Sequence, residues 1–209
     1  MNLITDRDLV LYEPNLFQNV SFLGQTIVNK YSCSFNGSQL TANSLNFNDY
    51  QLDVMNVVTI NEFTFEVLNV VNTTKLKLSL IRTNTDDSQI TSHSIADARF
   101  SLRTFLPQIK LIQDAVFLKF GINKDEQESW LEEKTDVLKE KIKKLVILGT
   151  LERIFSAASI VIETKFNDFR EKTSYYQDLF NELLEQIKKE LTPSKVDDEY
   201  AMTVINLVR

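Results

Sequence analysis

The chain changes character near residue 100, and that change constrains its fold more than any motif does. Before it, short alternating apolar patterns are separated by Asn, Ser and Thr. After it come long stripes of Leu, Lys and Glu at helical spacing. Only 3 lysines fall in residues 1–100, against 13 in residues 101–209. A period of two that gives way to a period of 3.6 predicts an α+β protein, strands first and helices second.

Residues 21–82 read as β structure. Asn36-Gly37 lies between Tyr31-Ser-Cys-Ser-Phe35 and Ser38-Gln-Leu-Thr-Ala42. Glycine takes positive φ at little cost, so this pair predicts a hairpin tip with a type I′ turn. A strand over Asp53–Ile60 follows, then a turn at Asn61-Glu62 and a strand over Phe63–Val71. After Asn72-Thr73-Thr74, the segment Lys75-Leu-Lys-Leu-Ser-Leu80 alternates strictly. Four or five short strands with tight turns predict a small antiparallel barrel, which leaves no bare edge. Residues 83–98 are polar and read as a loop or junction.

The first stripe of the helical half holds Leu102, Phe105, Leu106, Ile109, Ile112, Val116, Phe117 and Phe120, with Thr104 as N-cap and Gly121 as the stop. Pro107 is tolerated in the first turn. A second helix is expected from about Ser129, where Glu132 completes a capping box. It continues through Leu138, Leu145, Leu148, Phe155 and Ile162, apolar on most faces from Leu145 onward. Gly149-Thr150 within it marks a kink or the close approach of another backbone. The third stripe runs from Phe166 to Leu191, and Thr192-Pro193 ends it. At the other terminus, Thr5 and Asp8 form a capping box for a short helix from about Asp6 to Tyr12, closed by Pro14.

The domain reading is an N-terminal arm (1–20), a β module with its polar junction (21–100), a helical bundle (101–192) and an extended tail (193–209). The tail, Tyr200-Ala-Met-Thr-Val-Ile-Asn-Leu-Val-Arg209, is apolar and strand-like after a charged spacer. It is expected to bury against its own chain or to add a strand to another. Its candidate interface residues are Tyr200, Met202, Val204 and Leu207.

No reaction centre is legible. His93, the single histidine, lies in a polar stretch and reads as a surface loop residue. Cys33, the single cysteine, reads as a small strand residue and excludes an internal disulfide. Phosphate-cradling glycine loops, C-x-x-C and H-E-x-x-H do not occur. Asp86-Asp87 reads as a solvated turn, Trp130 as a packing residue, and the Glu and Lys run of residues 126–141 as a solvated helix face. No catalytic, metal or cofactor residue is assigned. The formal charge of −6 argues against an outer surface that grips phosphate backbones, without excluding a channel past which nucleic acid slides. No run approaches the roughly 18 apolar residues of a membrane helix, and the N-terminus lacks the pattern of a signal peptide. A soluble protein made in the cytoplasm is expected.

Two separated pieces together resemble the tailed-bacteriophage head–tail connector proteins, also called adaptor or head-completion subunits. One is Thr5-Asp6-Arg7-Asp8-Leu9 with Tyr12-Glu13-Pro14-Asn15-Leu16-Phe17-Gln18-Asn19-Val20. The other is Arg103-Thr104-Phe105-Leu106-Pro107-Gln108-Ile109 and the three amphipathic or apolar helices after it. Residues 1–20 and 101–209 are covered, and the intervening β module resembles the SH3-like barrels of phage structural proteins. The resemblance implies an SH3-like barrel on a three-helix bundle with an extended C-terminal tail. It also implies a virion protein of the neck, in a homo-oligomeric ring (a dodecamer) under the portal protein. A stopper or tail protein would lie below, and genomic DNA would pass through the lumen without specific binding. The other readings are a tail terminator or different virion ring protein, and a nucleic-acid-binding or small enzymatic module built on the barrel.

Overall fold

The computed structural model describes residues 2–50, 52, 54–162 and 165–191. The chain is α+β, and its strands close into one barrel. Two short helices open it, α1 (Asp6–Tyr12) and α2 (Leu16–Asn19). The strands follow: β1 (Thr26–Phe35), β2 (Gln39–Thr41), β3 (Val57–Ile60), β4 (Phe63–Asn72), β5 (Lys75–Leu80) and β6 (Ile95–Arg103). Four α-helices follow among the described residues: α3 (Leu106–Lys119), α4 (Gln127–Glu132), α5 (Asp136–Val161) and α6 (Phe166–Leu191).

The barrel order is β1-β2-β5-β4-β3-β6, with β6 pairing back onto β1 and every pair antiparallel. Closure satisfies each strand on both sides. Inward residues alternate along the strands and fill the barrel with a core of its own, including Phe35, Phe65, Leu76, Leu78, Phe100 and Leu102. Phe35 and Phe65 meet edge to face, their centroids 4.9 Å apart.

β6 corrects the sequence reading. The barrel has six strands rather than four or five, and the last runs from inside the expected polar junction to Arg103. Leu102 is therefore a barrel core residue, not the first residue of a helical stripe. The β3 expectation was also too long, since regular pairing begins only at Val57. At the β1–β2 hairpin, Gly37 takes the expected positive φ of 91°. The turn is not the two-residue type I′ form, because Phe35 pairs with Leu40 and four residues lie between them. The Asn36 side-chain oxygen instead accepts from the Gln39 and Ser38 N–H groups at 2.8 and 3.2 Å.

The helical half begins where β6 ends. Phe105 is the N-cap of α3, one residue later than expected, and the Thr104 hydroxyl accepts from Leu106 N–H at 3.1 Å. Gly121, at φ 76°, closes that helix. The long second helix does not start at Ser129, which lies inside the separate helix α4. Its cap is Thr135, whose hydroxyl accepts from Leu138 N–H at 3.3 Å. Lys141 pairs with Glu190 while Phe155 packs on Tyr176, so α5 and α6 run antiparallel.

Gly149 marks close approach. A Cβ there would lie 2.9 Å from both Ile112 of α3 and Phe180 of α6. α5 is thus held between two helices, and the residues from Leu145 to Leu151 are all buried. Each fully buried Leu or Phe contributes roughly 1.5–3 kcal/mol. The same cluster takes in Ile4, Leu9, Val10, Leu16, Phe17 and Val20 from the N-terminal arm.

Candidate functional site

The arm is where the halves of the molecule meet, and it gathers most of the buried charge. The Thr5–Asp8 capping box forms as the sequence suggests, with Thr5 N–H donating to the Asp8 carboxylate at 2.7 Å. That cap orients α1 so that Asp6 and Arg7 both point into the protein. The Asp6 carboxylate accepts from Phe105 N–H at 2.7 Å, at the N-terminus of α3, where the helix dipole favours an anion. Burial nevertheless raises its pKa to about 6, against the hydrogen bonds that lower it. Arg7 Nε lies 2.8 Å from one carboxylate oxygen of Glu66 on β4, and Arg82 Nε lies 2.6 Å from the other. Glu66 is fully buried. Arg82 also donates to the carbonyls of Thr85 and Asp87, each at 2.7 Å, and so fixes the loop after β5.

Further along the arm, Glu13 accepts from Tyr176 and pairs with Lys172 on α6. Lys165 donates to Asn19 at 2.7 Å, and Arg103 donates to the Phe17 carbonyl. These carboxylates are held by protein donors, Asp6 and Glu66 buried and Glu13 partly buried. They join the arm to barrel and helices.

The chemistry-bearing residues are dispersed. Burial pushes the Cys33 thiol up to about 11, so it is not a thiolate at neutral pH. His93 lies exposed in a loop, edge-on to Phe63 at 5.4 Å, with Ser92 3.5 Å from its ring nitrogen. Asp87 accepts from Asn84 N–H at 2.8 Å inside a local turn. Among the described residues no group of three or more His, Cys, Asp or Glu side chains is gathered as a metal site. Trp130 packs between Phe117 and Phe120 at 5.9 and 6.2 Å, with the Lys134 ammonium over its ring. No helix among the described residues is long and apolar enough to cross a membrane.

The candidate surfaces are apolar faces left exposed on the helices. On α3, Leu111 and Leu118 lie seven residues apart on one face, 55% and 68% exposed. Beside them runs a groove of about 230 Å³ between α3 and α6, floored by Gly149 and lined by Ile112, Val116 and Phe180. At the end of α5, Ile160 and Val161 are 78% and 65% exposed, with Phe166 nearby at the start of α6. Sequence reading placed Ile160 and Val161 in a helix apolar on most faces, put Phe166 in the third stripe, and gave Leu111 and Leu118 no part in the first. Their exposure depends on which faces the neighbouring helices cover. The four tail residues assigned in advance as an interface, Tyr200, Met202, Val204 and Leu207, lie outside the described residues. No protein-family model, curated protein or solved structure matches this chain.

Proposed function

We propose that the chain is a structural subunit of a bacteriophage neck, a ring-forming adaptor between a portal and the next neck or tail component around a DNA channel. In this reading it is not an enzyme and carries no cofactor. The barrel is an SH3-like module inserted into a connector whose core is the arm plus a three-helix bundle of α3, α5 and α6.

One observation carries the reading. The two pieces that resemble connector proteins are separated in sequence by the whole barrel, yet they pack together. Asp6 accepts from Phe105 N–H, Phe17 and Phe105 meet edge to face at 4.9 Å, and Arg103 donates to the Phe17 carbonyl. A barrel inserted into an older helical core would leave this arrangement. The exposed apolar faces on α3 and at the end of α5 add support, because a closed ring buries such faces between neighbours. The tail would dock on the portal or on an adjacent subunit through Tyr200, Met202, Val204 and Leu207, with main-chain pairing supplying affinity.

Deleting residues 199–209 tests this reading. The expected result is a native circular dichroism spectrum together with loss of incorporation into portal-containing particles. Incorporation at wild-type occupancy would overturn tail docking.

A further inference from the structure

The formal charge of −6 hides one locally basic surface. A cleft of about 450 Å³ crosses the outer wall of the barrel where β1, β6 and β3 lie side by side, and Lys30, Arg99, Ser101, Arg103, Thr59 and Asn61 line it. Gln18 and Glu62 complete its rim. We propose that this cleft binds the phosphodiester backbone of nucleic acid.

The cleft is built by specific departures from a regular strand. Val28 faces the barrel core, and simple alternation would send Lys30 inward after it. The β1–β6 register shifts between Val28 and Tyr31, and Lys30 takes a left-handed φ of 49°. The bulge turns Lys30 out to the surface, while Tyr31 and Cys33 return to the core side. The Lys30 N–H, removed from the ladder, donates to the Ser101 hydroxyl at 3.0 Å. At the other side Asn61 is also left-handed, at φ 51°. It exchanges two hydrogen bonds with Arg99, one through its N–H at 2.9 Å and one through its side-chain oxygen at 3.0 Å. Asn accepts the left-handed region readily, so the backbone strain in the cleft sits at Lys30.

The charges in the cleft lack partners of opposite sign. Among the described residues Lys30, Arg99 and Arg103 make no ion pair. Arg103 keeps a buried Nε without a hydrogen-bond partner. The acids closest in sequence and on the rim are Glu62 and Asp97, the latter two residues before Arg99.

The spacing identifies the class of ligand. Arg99, Ser101 and Arg103 recur at every second residue on one face of β6, a row about 13 Å long. That is longer than one phosphate or carboxylate and suits a polyanion. The cleft offers cations, hydroxyls and amides but no aromatic side chain for stacking, so it contacts backbone and not bases. This inference goes beyond the adaptor reading, and its test does not depend on particles.

The full-length protein is titrated into a short fluorescein-labelled single-stranded oligonucleotide, read by anisotropy. Binding is expected to weaken about twentyfold between roughly 50 and 200 mM salt, as three phosphate contacts on a single strand require. Lys30→Gln with Arg99→Gln should reduce affinity at least about tenfold with an unchanged circular dichroism spectrum. Lys75→Gln with Lys77→Gln, on β5 across the barrel from β6, should leave it unchanged. Equal loss in both pairs, or no binding at low salt, overturns the proposal. A polyglutamate chain of matched length is the second probe. If it binds as tightly as the oligonucleotide or more tightly, the cleft is a docking face for acidic protein and the nucleic-acid proposal fails.

Discussion

The barrel and the helical half reach stability by different routes. The barrel closes on itself, satisfies its own backbone and holds a core drawn from its own strands and the loop between them. The helical half cannot close in this way. Its core is completed by six arm residues and by Val57 from the outer face of β3. It still leaves Leu111, Leu118, Ile160 and Val161 exposed. A closed sheet can be an independent module, whereas a helix cluster remains open to whatever covers its outer faces. Under the proposed function, those exposed helical faces are the ones a neighbouring subunit would cover.

The strongest way to break the comparison is to cut the join. Glu66→Ala would leave Arg7 and Arg82 buried without their anion, at a cost of about 3–5 kcal/mol. Because the pair links arm and barrel, urea denaturation should show one cooperative transition shifted for both halves. A change within about 0.5 kcal/mol would mean that the network is incidental. Gly37→Val attacks the barrel alone. Gly37 sits at φ 91°, and a Cβ there would lie 2.1 Å from the Ser92 carbonyl oxygen. Strain and displacement together should cost about 2–3 kcal/mol. Amide exchange should quicken in β1, β2 and β5 before it does in α5. Uniform loss of protection would show that the halves are not separable.

Asp6→Asn gives the smallest effect and sharpens the comparison through pH. The folded-state pKa of Asp6, about 6, lies above its ordinary 3.8, so the folded state binds this proton more tightly. Its contribution to stability is therefore greatest below about pH 4 and is lost as pH rises through 6. Asparagine can keep the bond from Phe105 N–H without a titrating charge. The variant should gain on the wild type by about 2 kcal/mol between those pH values, the larger part of a shift of about two pKa units. Parallel stability curves would contradict the assignment.

Local signals were legible where local physics decides. The Thr5–Asp8 box, the Lys75–Leu80 alternation and the Phe166–Leu191 stripe gave elements that begin and end as the sequence implies. β6 was not legible. Its alternation is broken by left-handed Asp97 and a register shift, and Leu102 happens to fall in phase with the helical stripe that follows. Ser129 and Glu132 mimic a capping box one helix too early, because a capping pair carries no information about where the apolar face begins. The Arg7–Glu66–Arg82 network was invisible, since no periodicity records which carboxylate meets which guanidinium across the fold. The basic cleft was hidden for a related reason. Net charge is a sum, and the bulge at Lys30 acts on position alone.

We propose that this chain works by assembly and not by chemistry. Quantitative mass spectrometry of purified tailed-phage particles produced in a host that expresses this chain tests that proposal most directly. The expected result is this protein present at a fixed copy number relative to the portal, consistent with a ring. Its absence from mature particles, with portal and tail proteins present, would contradict the claim.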